Sequence, residues 1–286
     1  METRVAAQTF HRTLPPTLAA RLAACRVVLV EPSHPGNVGA CARAMAAMGL
    51  SDLIVTGAAA AALCADRAAR AHATAAAQPL LERARAAATL SDAIADCQLV
   101  VAVSAEARPF GPVPQPPGAI AQAALSALGS GAAERIGFVF GPERTGLSTE
   151  AVARCHWLAT IPAEPAAASL NLAQAVQIIA FALRQQALAE AAAPAADPGS
   201  GHGAAPRRSG HAAAARRSDH AAAEALLCRL ERTLIGIGAL DPAAPRRMMP
   251  RLRRLCGRAG LEAADVDLLH GVLNRIDALI SRPPVT

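Results

Sequence analysis

The sequence predicts an α/β protein built on a parallel sheet and followed by a small helical extension. Short runs of β-branched and other apolar residues alternate with alanine-rich helical stretches along the first 190 residues. These runs are apolar throughout rather than at every second residue, which is typical of strands covered by helices on both faces of a sheet. The alternation then stops at a tract without large apolar residues, and only helical patterns follow it.

The elements of the sheet domain follow from these runs in chain order. The predicted strands are 26–30, 53–56, 98–104, 136–140 and 158–162. The predicted helices between and after them are 38–49, 61–74, 79–96, 118–128 and 171–187. Ligands of such sheets bind beyond the carboxyl ends of the strands, so we expect functional residues just after the strands.

Composition divides the 286 residues into four segments. We expect an N-terminal extension at 1–24, the sheet domain at 25–190, a flexible linker at 191–222 and a helical extension at 223–286. The linker is rich in Ala, Pro, Gly, Ser, Arg and His, so it cannot bury enough apolar surface to offset the entropy of ordering. In the extension, a three-and-four spacing predicts one apolar helix face, formed by Val266, Leu269, Leu273, Ile276 and Ile280.

The chain is basic, with a net charge of +6, and contains no lysine. This excludes a phosphate loop of the G-x-x-x-x-G-K type and lysine Schiff-base chemistry. Residues 1–190 carry 14 arginines and 13 acidic residues, whereas residues 191–286 carry 14 and 9. With only 2% aromatic residues, base stacking is a poor way to hold RNA. A polyanion would therefore be bound through charge, mainly by the C-terminal third.

Cysteine usage and hydropathy predict a soluble, cytoplasmic protein. The seven cysteines form no C-x-x-C pair and lie apart from the eight histidines, so we expect reduced thiols in the core and no metal site. The N-terminus lacks a secretory signal pattern. The two uncharged stretches, 109–133 and 165–183, contain prolines and glycines or polar amides, so neither predicts a membrane span.

The first candidate motif is the turn after the first strand, Gly36-Asn37-Val38-Gly39. A dinucleotide-binding corner needs a third glycine and an acidic residue at the end of the next strand, and both are missing here. Arg43 lies opposite the apolar face of the helix that follows, among small residues that permit a close approach. By itself, such an arginine is typical of a solvated surface.

Two further motifs follow later strands. The segment Gly141 to Leu147 reads "GPERTGL", and its two glycines suit a tight loop or a close ligand. The segment Ser169 to Ala175 reads "SLNLAQA", where Ser169 can cap the next helix. Taken singly, the first is also typical of an ordinary surface loop and the second of a capped amphipathic helix.

Together, the three motifs resemble those of the SpoU branch of the SPOUT RNA methyltransferases. The patterns are N-x-G-x-x-x-R-A with a following M-G-L, then F-G-x-E-x-x-G-L, then I-P followed by S-L-N-L-A-x-A. The resemblance spans residues 25–188 closely and 223–281 more loosely. Its C-terminal part is similar to enzymes that methylate the 2′-hydroxyl of cytidine or uridine at nucleotide 32 of the tRNA anticodon loop. A 2′-O-methyltransferase of ribosomal RNA and a non-catalytic RNA-binding protein of the same fold are the alternatives.

The resemblance implies S-adenosylmethionine as methyl donor, a homodimer, tRNA as partner, and a trefoil knot near the C-terminal end of the sheet domain. The knot rests on the resemblance alone, because general topology rules disfavour knots. The donor-binding residues that it implies are Val103, Ser104, Ala105, Gly141, Ile161, Ala168, Ser169 and Leu170. The chain departs from the family at Pro142, which replaces a polar or basic residue, and at 166–168, where three alanines replace Glu-Tyr-Ser. Contacts at these positions must use backbone atoms or be absent.

The implied catalytic residues are Arg43, Asn37, Glu143, Ser169 and Asn171. Arg43 corresponds to the motif arginine that is described as activating the ribose hydroxyl. A guanidinium stays protonated and has no acceptor atom, so it is a poor base. We therefore expect Arg43 to hold the adjacent phosphate bidentately and fix the ribose, while that phosphate or a water receives the proton. The other four residues would order the pocket and Arg43.

Arginines near residue 250 predict contacts with tRNA phosphates. Arg251, Arg254 and Arg258 step by three and four, which places them on one helix face, and Arg246 and Arg247 add to the charge. Leu252 and Leu255 are expected to pack on the 266–280 helix. A helical appendage whose arginines only maintain solubility is the alternative.

Overall fold

The computed structural model describes residues 12–109, 111–193 and 216–280. Within them, seven strands form one sheet in which every pair is parallel, in the spatial order β3-β2-β1-β6-β4-β7-β5. The strands are β1 (Cys25–Leu29), β2 (Asp52–Thr56), β3 (Arg85–Ala87), β4 (Leu99–Val103), β5 (Pro114–Gln115), β6 (Ile136–Phe140) and β7 (Trp157–Ala159). The predicted parallel α/β fold is confirmed.

Helices cover both faces of this sheet and form the C-terminal extension. They are α1 (Pro16–Ala23), α2 (Pro35–Met48), α3 (Ala60–Ala65), α4 (Arg67–Glu82), α5 (Leu90–Ile94), α6 (Pro117–Ser130), α7 (Thr149–Ala153), α8 (Leu172–Ala192), α9 (His220–Gly236), α10 (Met248–Ala259) and α11 (Ala263–Ile280). A 3₁₀ turn at Pro165–Ala167 precedes α8.

Two hydrophobic cores lie on opposite faces of the sheet. The larger core joins α1, α2, α4, α6 and α8 to one face, and the smaller core joins α5 and α7 to the other. Strands β1, β4 and β6 are buried at every residue. This burial is the physical reason for their continuous apolar sequence.

The small residues of α2 let it approach α4 closely. A Cβ atom placed on Gly39 would lie only 1.9 Å from the carbonyl oxygen of Ala69 in α4. On other sides of the same helix, Val38, Cys41 and Met45 are fully buried. The close approach predicted for these small residues is therefore made by α4. Packing against α4 fixes the position of α2, which carries Asn37 and Arg43.

The predicted helix 79–96 is wrong. Helix α4 ends at Glu82, strand β3 follows, and α5 begins after Thr89, whose side chain forms a capping box with Asp92. The alanines of this stretch favour a helix, but Thr89 and Asp92 satisfy each other's backbone N–H groups and start a new one. Strands β3 and β5, with three and two residues, are too short to give an apolar pattern.

A third core holds the C-terminal helices together. Leu226 of α9 packs with Val266 and Leu273 of α11. The predicted face of α11 is only partly buried, because Leu269 and Ile280 remain 37% and 43% exposed.

Helix α10 packs differently from the prediction. It lies mainly against α9 and α7 rather than on α11, and Leu255 is 60% exposed. The neighbouring Leu252 is half-buried. The expected packing of Leu255 on the 266–280 helix is therefore wrong.

The extension docks at the end of the sheet where β4 begins. The N–H groups of Arg217 and His220 donate to the carbonyl oxygens of Ala132 and Cys97, at 3.1 and 2.9 Å. Ser218 N–H donates to the carbonyl oxygen of Leu261 at 2.8 Å. Residues 216–222 of the predicted linker thus belong to ordered structure. Its residues 194–215 lie outside the described residues, as do 1–11 of the predicted N-terminal extension.

A buried arginine lies at the same end of the sheet. Arg26 is 1% exposed and forms ion pairs with Asp52, at 2.9 Å, and with Asp96. Its guanidinium also donates to the carbonyl oxygen of Ala93 at 2.8 Å. A buried charge needs such compensation, so this cluster has a structural role.

The cysteines are free thiols, and Cys25, Cys41, Cys97 and Cys155 are buried. Burial raises the pKa of Cys25 to about 12, so this thiol stays protonated. No group of three or more metal-ligating side chains occurs in the parts of the chain that the structure describes. In the same residues, no helix is long and apolar enough to cross a membrane.

Candidate functional site

A cavity of about 360 Å³ opens where β4, β6 and β7 end. We call it the carboxyl-edge cavity. It is formed by residues 103–108 after β4, by the 140–147 loop after β6, and by residues that precede and begin α8. All eight residues that the sequence motifs predict for donor binding line it: Val103, Ser104, Ala105, Gly141, Ile161, Ala168, Ser169 and Leu170. The structure therefore brings three separate segments together at the edge where parallel sheets bind ligands.

The loop after β6 folds back on itself at Gly141. A Cβ atom on this residue would lie 2.3 Å from the carbonyl carbon of Gly146 and from the nitrogen of Leu147. The loop is closed by Gly146, whose N–H donates to the carbonyl oxygen of Pro142 at 2.8 Å and whose φ is 63°. Pro142 contributes through its carbonyl oxygen, so its missing N–H costs nothing here. Gly141 is thus required by the loop itself.

Three of the predicted catalytic residues form one hydrogen-bonded chain beside this cavity. The Nδ2 of Asn37 donates to Oε1 of Glu143 at 2.7 Å, and Nδ2 of Asn171 donates to Oδ1 of Asn37 at 3.1 Å. The backbone N–H of Ser33 donates to the other oxygen, Oε2 of Glu143, at 2.8 Å. The chain connects the start of α2, the loop after β6 and the start of α8.

Asn171, and not Ser169, caps α8. Its Oδ1 accepts the N–H of Ala173, while Oε1 of Gln174 accepts the N–H of Asn171, which together form a capping box. This fixes the Asn171 side chain so that its amide group points at Asn37. The hydroxyl of Ser169 lines the carboxyl-edge cavity and has no hydrogen-bond partner among the described residues.

Glu143 is held as a carboxylate. Its partial burial acts to raise its pKa, but the hydrogen bonds from Asn37 and from the N–H of Ser33 outweigh this, and the net pKa lies below the ordinary value. Both carboxylate oxygens are already acceptors for these donors. Glu143 is therefore built to orient its neighbours.

Arg43 lies apart from that chain. It is exposed on α2 and has no hydrogen-bond or ion-pair partner among the described residues, and it does not line the carboxyl-edge cavity. It follows Asn37 by six residues, about 9 Å along the helix axis. The structure thus brings Asn37, Glu143 and Asn171 together and leaves Arg43 as an unengaged cation, without the contacts that were expected to order it.

Sequence reasoning missed two charged residues of the cavity lining. Arg108 forms an ion pair with Glu106 at 2.6 Å and contacts the carbonyl oxygen of Leu147. It joins the segment after β4 to the loop after β6. The only signal in the sequence was the position of both residues just beyond a buried strand.

The predicted basic stripe of α10 divides between two places. Arg254 and Arg258 line a second cavity, of about 480 Å³, between the sheet domain and the C-terminal helices. Arg246, Arg247 and Arg251 lie around a separate, shallow depression at the start of α10. All five are exposed.

Family models match both parts of the chain. The SpoU rRNA Methylase family matches residues 24–181, and the C-terminal domain of tRNA methyltransferase TrmJ matches residues 221–284. The gap between the two matches, residues 182–220, includes most of the tract that sequence composition assigns as a linker.

Curated relatives cover nearly the whole chain. The tRNA (cytidine/uridine/adenosine-2′-O-)-methyltransferase TrmJ of Pseudomonas aeruginosa is 36% identical over 258 residues, covering 87% of this chain and 91% of that protein. The tRNA (cytidine/uridine-2′-O-)-methyltransferase TrmJ of Klebsiella pneumoniae is 37% identical over 252 residues, covering 88% and 96%.

Solved structures have the same fold. A crystal structure of TrmJ from Z. mobilis ZM4 superposes with a TM-score of 0.70 at 27% identity, covering 88% of this chain and 98% of that one. A probable methyltransferase from Bordetella pertussis Tohama I gives 0.55 at 36% identity, covering 59% and 99%. The chain therefore belongs to the SpoU methylase family and combines a SpoU methylase domain with a TrmJ C-terminal domain.

Proposed function

We propose that this protein transfers a methyl group from S-adenosylmethionine to the ribose 2′-hydroxyl of the pyrimidine at nucleotide 32 of tRNA. The observation that carries the proposal is the convergence of three motifs on one site. All eight proposed donor-binding residues line the carboxyl-edge cavity, and the Asn37–Glu143–Asn171 chain lies beside it. The TrmJ names of the relatives support tRNA as the substrate.

The carboxyl-edge cavity fits the donor. Much of its lining consists of small residues that expose backbone atoms, among them Ser104, Ala105, Gly141 and Ala168. Such a surface can hold an adenosine through backbone hydrogen bonds, without a ribose-binding carboxylate. The hydroxyl of Ser169, which has no hydrogen-bond partner among the described residues, can donate a hydrogen bond to S-adenosylmethionine. When bound there, S-adenosylmethionine supplies an electrophilic methyl group.

The residues beside the carboxyl-edge cavity have different roles in the proposed transfer. The accepting hydroxyl loses a proton as the new bond forms, and Glu143 is a weak base for it, because the hydrogen bonds from Asn37 and Ser33 keep its pKa below the ordinary value. We assign Glu143, Asn37 and Asn171 to positioning the loop after β6 relative to α2 and α8. The guanidinium of Arg43 has no partner among the described residues, so it can form two parallel hydrogen bonds with the phosphate next to the ribose. That phosphate or a water then receives the proton.

Further parts of the proposal concern assembly and RNA binding. We propose a cytoplasmic homodimer whose sheet domain has a trefoil knot at its C-terminal end, with Arg246, Arg247, Arg251, Arg254 and Arg258 on tRNA phosphates. Sedimentation of the full chain tests the dimer, and a monomer at micromolar concentration contradicts it. The range of bases is open to test, since the Pseudomonas relative's name includes adenosine and the Klebsiella relative's name does not.

The decisive experiment uses RNA from a strain that lacks the enzyme. Total RNA is incubated with the protein and methyl-labelled donor, and the modified nucleotide is mapped by mass spectrometry. Label at pyrimidine 32 of tRNA supports the proposal, and tRNAs with each of the four bases at this position then define the range. Label in ribosomal RNA supports the rRNA methyltransferase alternative. RNA binding without any transfer identifies a non-catalytic RNA-binding protein.

A further inference from the structure

A second cavity lies where the C-terminal helices meet the sheet domain. We call it the junction cavity. The sheet domain contributes residues 153–157, which lead into β7, together with Gln98 and Gln115. The extension contributes residues 217–218, the first turns of α9 and the last turns of α10. Its volume of about 480 Å³ falls within the range of small-ligand sites, roughly 300–1,000 Å³.

The junction cavity is strongly cationic. Five arginines line it, and Glu224 is the only acidic residue among the described residues of its lining. The arginines are Arg154, Arg217, Arg253, Arg254 and Arg258. Glu224 pairs with Arg253 and lies 3.9 Å from Arg154. The remaining three arginines have no ion-pair partner within the described part of the chain.

Arg217 carries the argument for a ligand. Its guanidinium is half-buried, burial lowers its pKa, and it has no hydrogen-bond or ion-pair partner among the described residues. It lies directly over Gly260, where an added Cβ atom would be 2.3 Å from its Nη1. Partial burial of an unpaired charge costs free energy, so this position is unfavourable unless an anion binds there.

Two histidines, the buried His220 and the partly exposed His156, give the junction cavity a neutral floor. Nδ1 of His156 accepts the N–H of Val100 at 3.0 Å, and Nε2 of His220 lies 3.0 Å from the carbonyl oxygen of Arg154. Burial is the main cause that lowers the pKa of both: together with His220 and Arg217 it lowers that of His156 to about 3, and Arg253 and Arg154 add to the lowering for His220. The lining therefore offers guanidinium donors to an anion and almost no competing acceptor.

We propose that the junction cavity binds a backbone phosphate of the RNA substrate, with Arg217, Arg254 and Arg258 as its ligands. This rests on the proposed function for the identity of the ligand, because RNA is the phosphate source that it supplies. The junction cavity lies where β4 and β7 begin, whereas the carboxyl-edge cavity lies where these strands end. Trp157 and Ile161, one in each lining, are separated by four residues, about 13 Å of extended chain. The phosphate therefore belongs to another nucleotide than the methylated one.

The protein contains its own reporter of occupancy. Trp157 is the single tryptophan of the chain, there is no tyrosine, and this residue is part of the junction-cavity lining. Titration with inorganic phosphate at constant ionic strength should change its fluorescence in the full-length protein. Arg217→Gln should weaken this binding at least tenfold. The matched control is Arg216→Gln, since Arg216 is a neighbouring arginine that pairs with Glu134 on the surface, outside this lining; its affinity should not change.

Salt titration of tRNA affinity distinguishes RNA from a free phosphate ligand. Loss of one phosphate contact lowers the magnitude of the log K against log salt slope by about 0.7 to 0.9, so Arg217→Gln and Arg258→Gln should each lower it by up to that amount, while Arg216→Gln leaves it unchanged. Arg258 is exposed on α10, so its replacement does not threaten folding. If the variants lose phosphate binding but keep the wild-type slope, the junction cavity serves a free phosphate ligand and the RNA assignment is overturned. Equal slopes and equal phosphate affinities in all variants overturn the site itself.

Two controls separate this inference from the proposed function. Donor affinity should be the same in wild type and variants, because the junction cavity lies at the opposite end of the strands, and the unfolding midpoint without phosphate should not fall. If wild type methylates tRNA but its slope does not depend on Arg217 or Arg258, only the inference fails. If wild type binds tRNA with the expected slope but transfers no methyl group, only the proposed function fails.

Discussion

The two cavities of this protein lie at opposite ends of the same strands and are built in opposite ways. The carboxyl-edge cavity is lined largely by small residues and backbone, and its charged residues include equal numbers of each sign: Glu106, Glu143, Arg108 and Arg144. The junction cavity has five arginines and one carboxylate. The first can enclose a ligand of low net charge through backbone contacts, whereas the second attracts an anion at a distance. The lining of the carboxyl-edge cavity therefore suits the proposed methyl donor, and the charge of the junction cavity suits the proposed RNA substrate.

Catalysis should depend most on a residue outside both cavities. Arg43→Lys and Arg43→Ala should each lower turnover by at least ~100-fold, since a point charge cannot replace a bidentate fork at a group that acts in the transition state. Single-turnover methyl transfer to tRNA measures this effect. Donor affinity, measured by calorimetry, should stay at the wild-type value because Arg43 does not line the carboxyl-edge cavity. Near-normal turnover in Arg43→Lys would exclude the bidentate role.

The carboxyl-edge cavity should be sensitive to one methyl group. Gly141→Ala places a Cβ atom 2.3 Å from backbone atoms of Gly146 and Leu147, so the loop must open. Such overpacking costs about 1–3 kcal/mol; where donor binding must close the loop again, this corresponds to roughly 5- to 150-fold in donor affinity. Calorimetric titration with S-adenosylmethionine checks this. Gly118→Ala is the control, because a Cβ atom there meets nothing within 4 Å; equal donor affinities in the two variants would place the donor elsewhere.

The contrast between the cavities also explains what the sequence could predict. The carboxyl-edge cavity is formed by contiguous motifs, so its glycines and its serine could be assigned from the resemblance of those motifs alone. The junction cavity joins residue 98 to residue 261. Nothing local marks Arg217, which sits in a tract whose composition predicts disorder. Only the tertiary docking of α9 and α10 reveals that its guanidinium is half-buried and has no ion-pair partner in the described ranges.

The same limit applies to the sheet itself. Its five main strands are predicted because burial on both faces makes them apolar throughout, whereas β3 and β5 are edge strands too short to show a pattern. The burial of Arg26 was also unpredictable. It depends on Asp52 and Asp96, which are 26 and 70 residues away in the chain. Long-range charge compensation leaves no periodic signal.

The hydrogen-bonded chain at the carboxyl edge should respond to a charge. Asn37→Asp replaces the amide that donates to Glu143 by a second carboxylate, which raises the pKa of the pair and repels the loop after β6 at neutral pH. Loss of a hydrogen bond to a charged group costs about 1.5–3 kcal/mol of unfolding free energy. Activity should recover partly as the pH falls, because one carboxyl then carries a proton that it can donate.

A matched variant at Asn171 removes the other hydrogen bond of the chain while keeping the N-cap of α8. Asn171→Asp keeps an N-cap acceptor at α8 and loses only the bond donated to Asn37. It should therefore be less destabilised than Asn37→Asp in urea unfolding. The reverse order of stabilities would show that the chain does not depend on the Asn37–Glu143 bond.

The junction should be labile to acid. His156 is neutral in the folded protein, where burial, His220 and Arg217 lower its pKa from near 6.5 to about 3. The unfolded chain therefore binds a proton below about pH 6.5 that the folded protein does not bind until about pH 3. Stability that is complete above pH 6.5 must decline as the pH falls through this window. Urea unfolding followed by Trp157 fluorescence at pH 7, 5.5 and 4.5 should show the decline.

His156→Gln tests the origin of that acid sensitivity. Glutamine retains an acceptor for the N–H of Val100 and does not titrate. The variant should lose part of the dependence on pH between 7 and 4.5, whatever its stability at pH 7. An unchanged dependence would assign the acid sensitivity to other groups.

The smallest expected effect distinguishes the two faces of α10. Arg254 lines the junction cavity, whereas Arg251 lies beside Arg246 and Arg247 at the other end of the helix. If the junction cavity encloses its phosphate more closely than the exposed arginines at the start of α10 hold theirs, Arg254→Gln should lower the salt slope of tRNA affinity, by up to about 0.7 to 0.9, and Arg251→Gln should lower it by less. Both substitutions remove one exposed arginine from one helix, so the change in net charge is the same. A general attraction between a basic extension and RNA would give equal losses, as would RNA lying along the whole predicted stripe. A difference between these two slopes would show that the enclosed geometry of the junction cavity, rather than charge alone, selects where the RNA backbone binds.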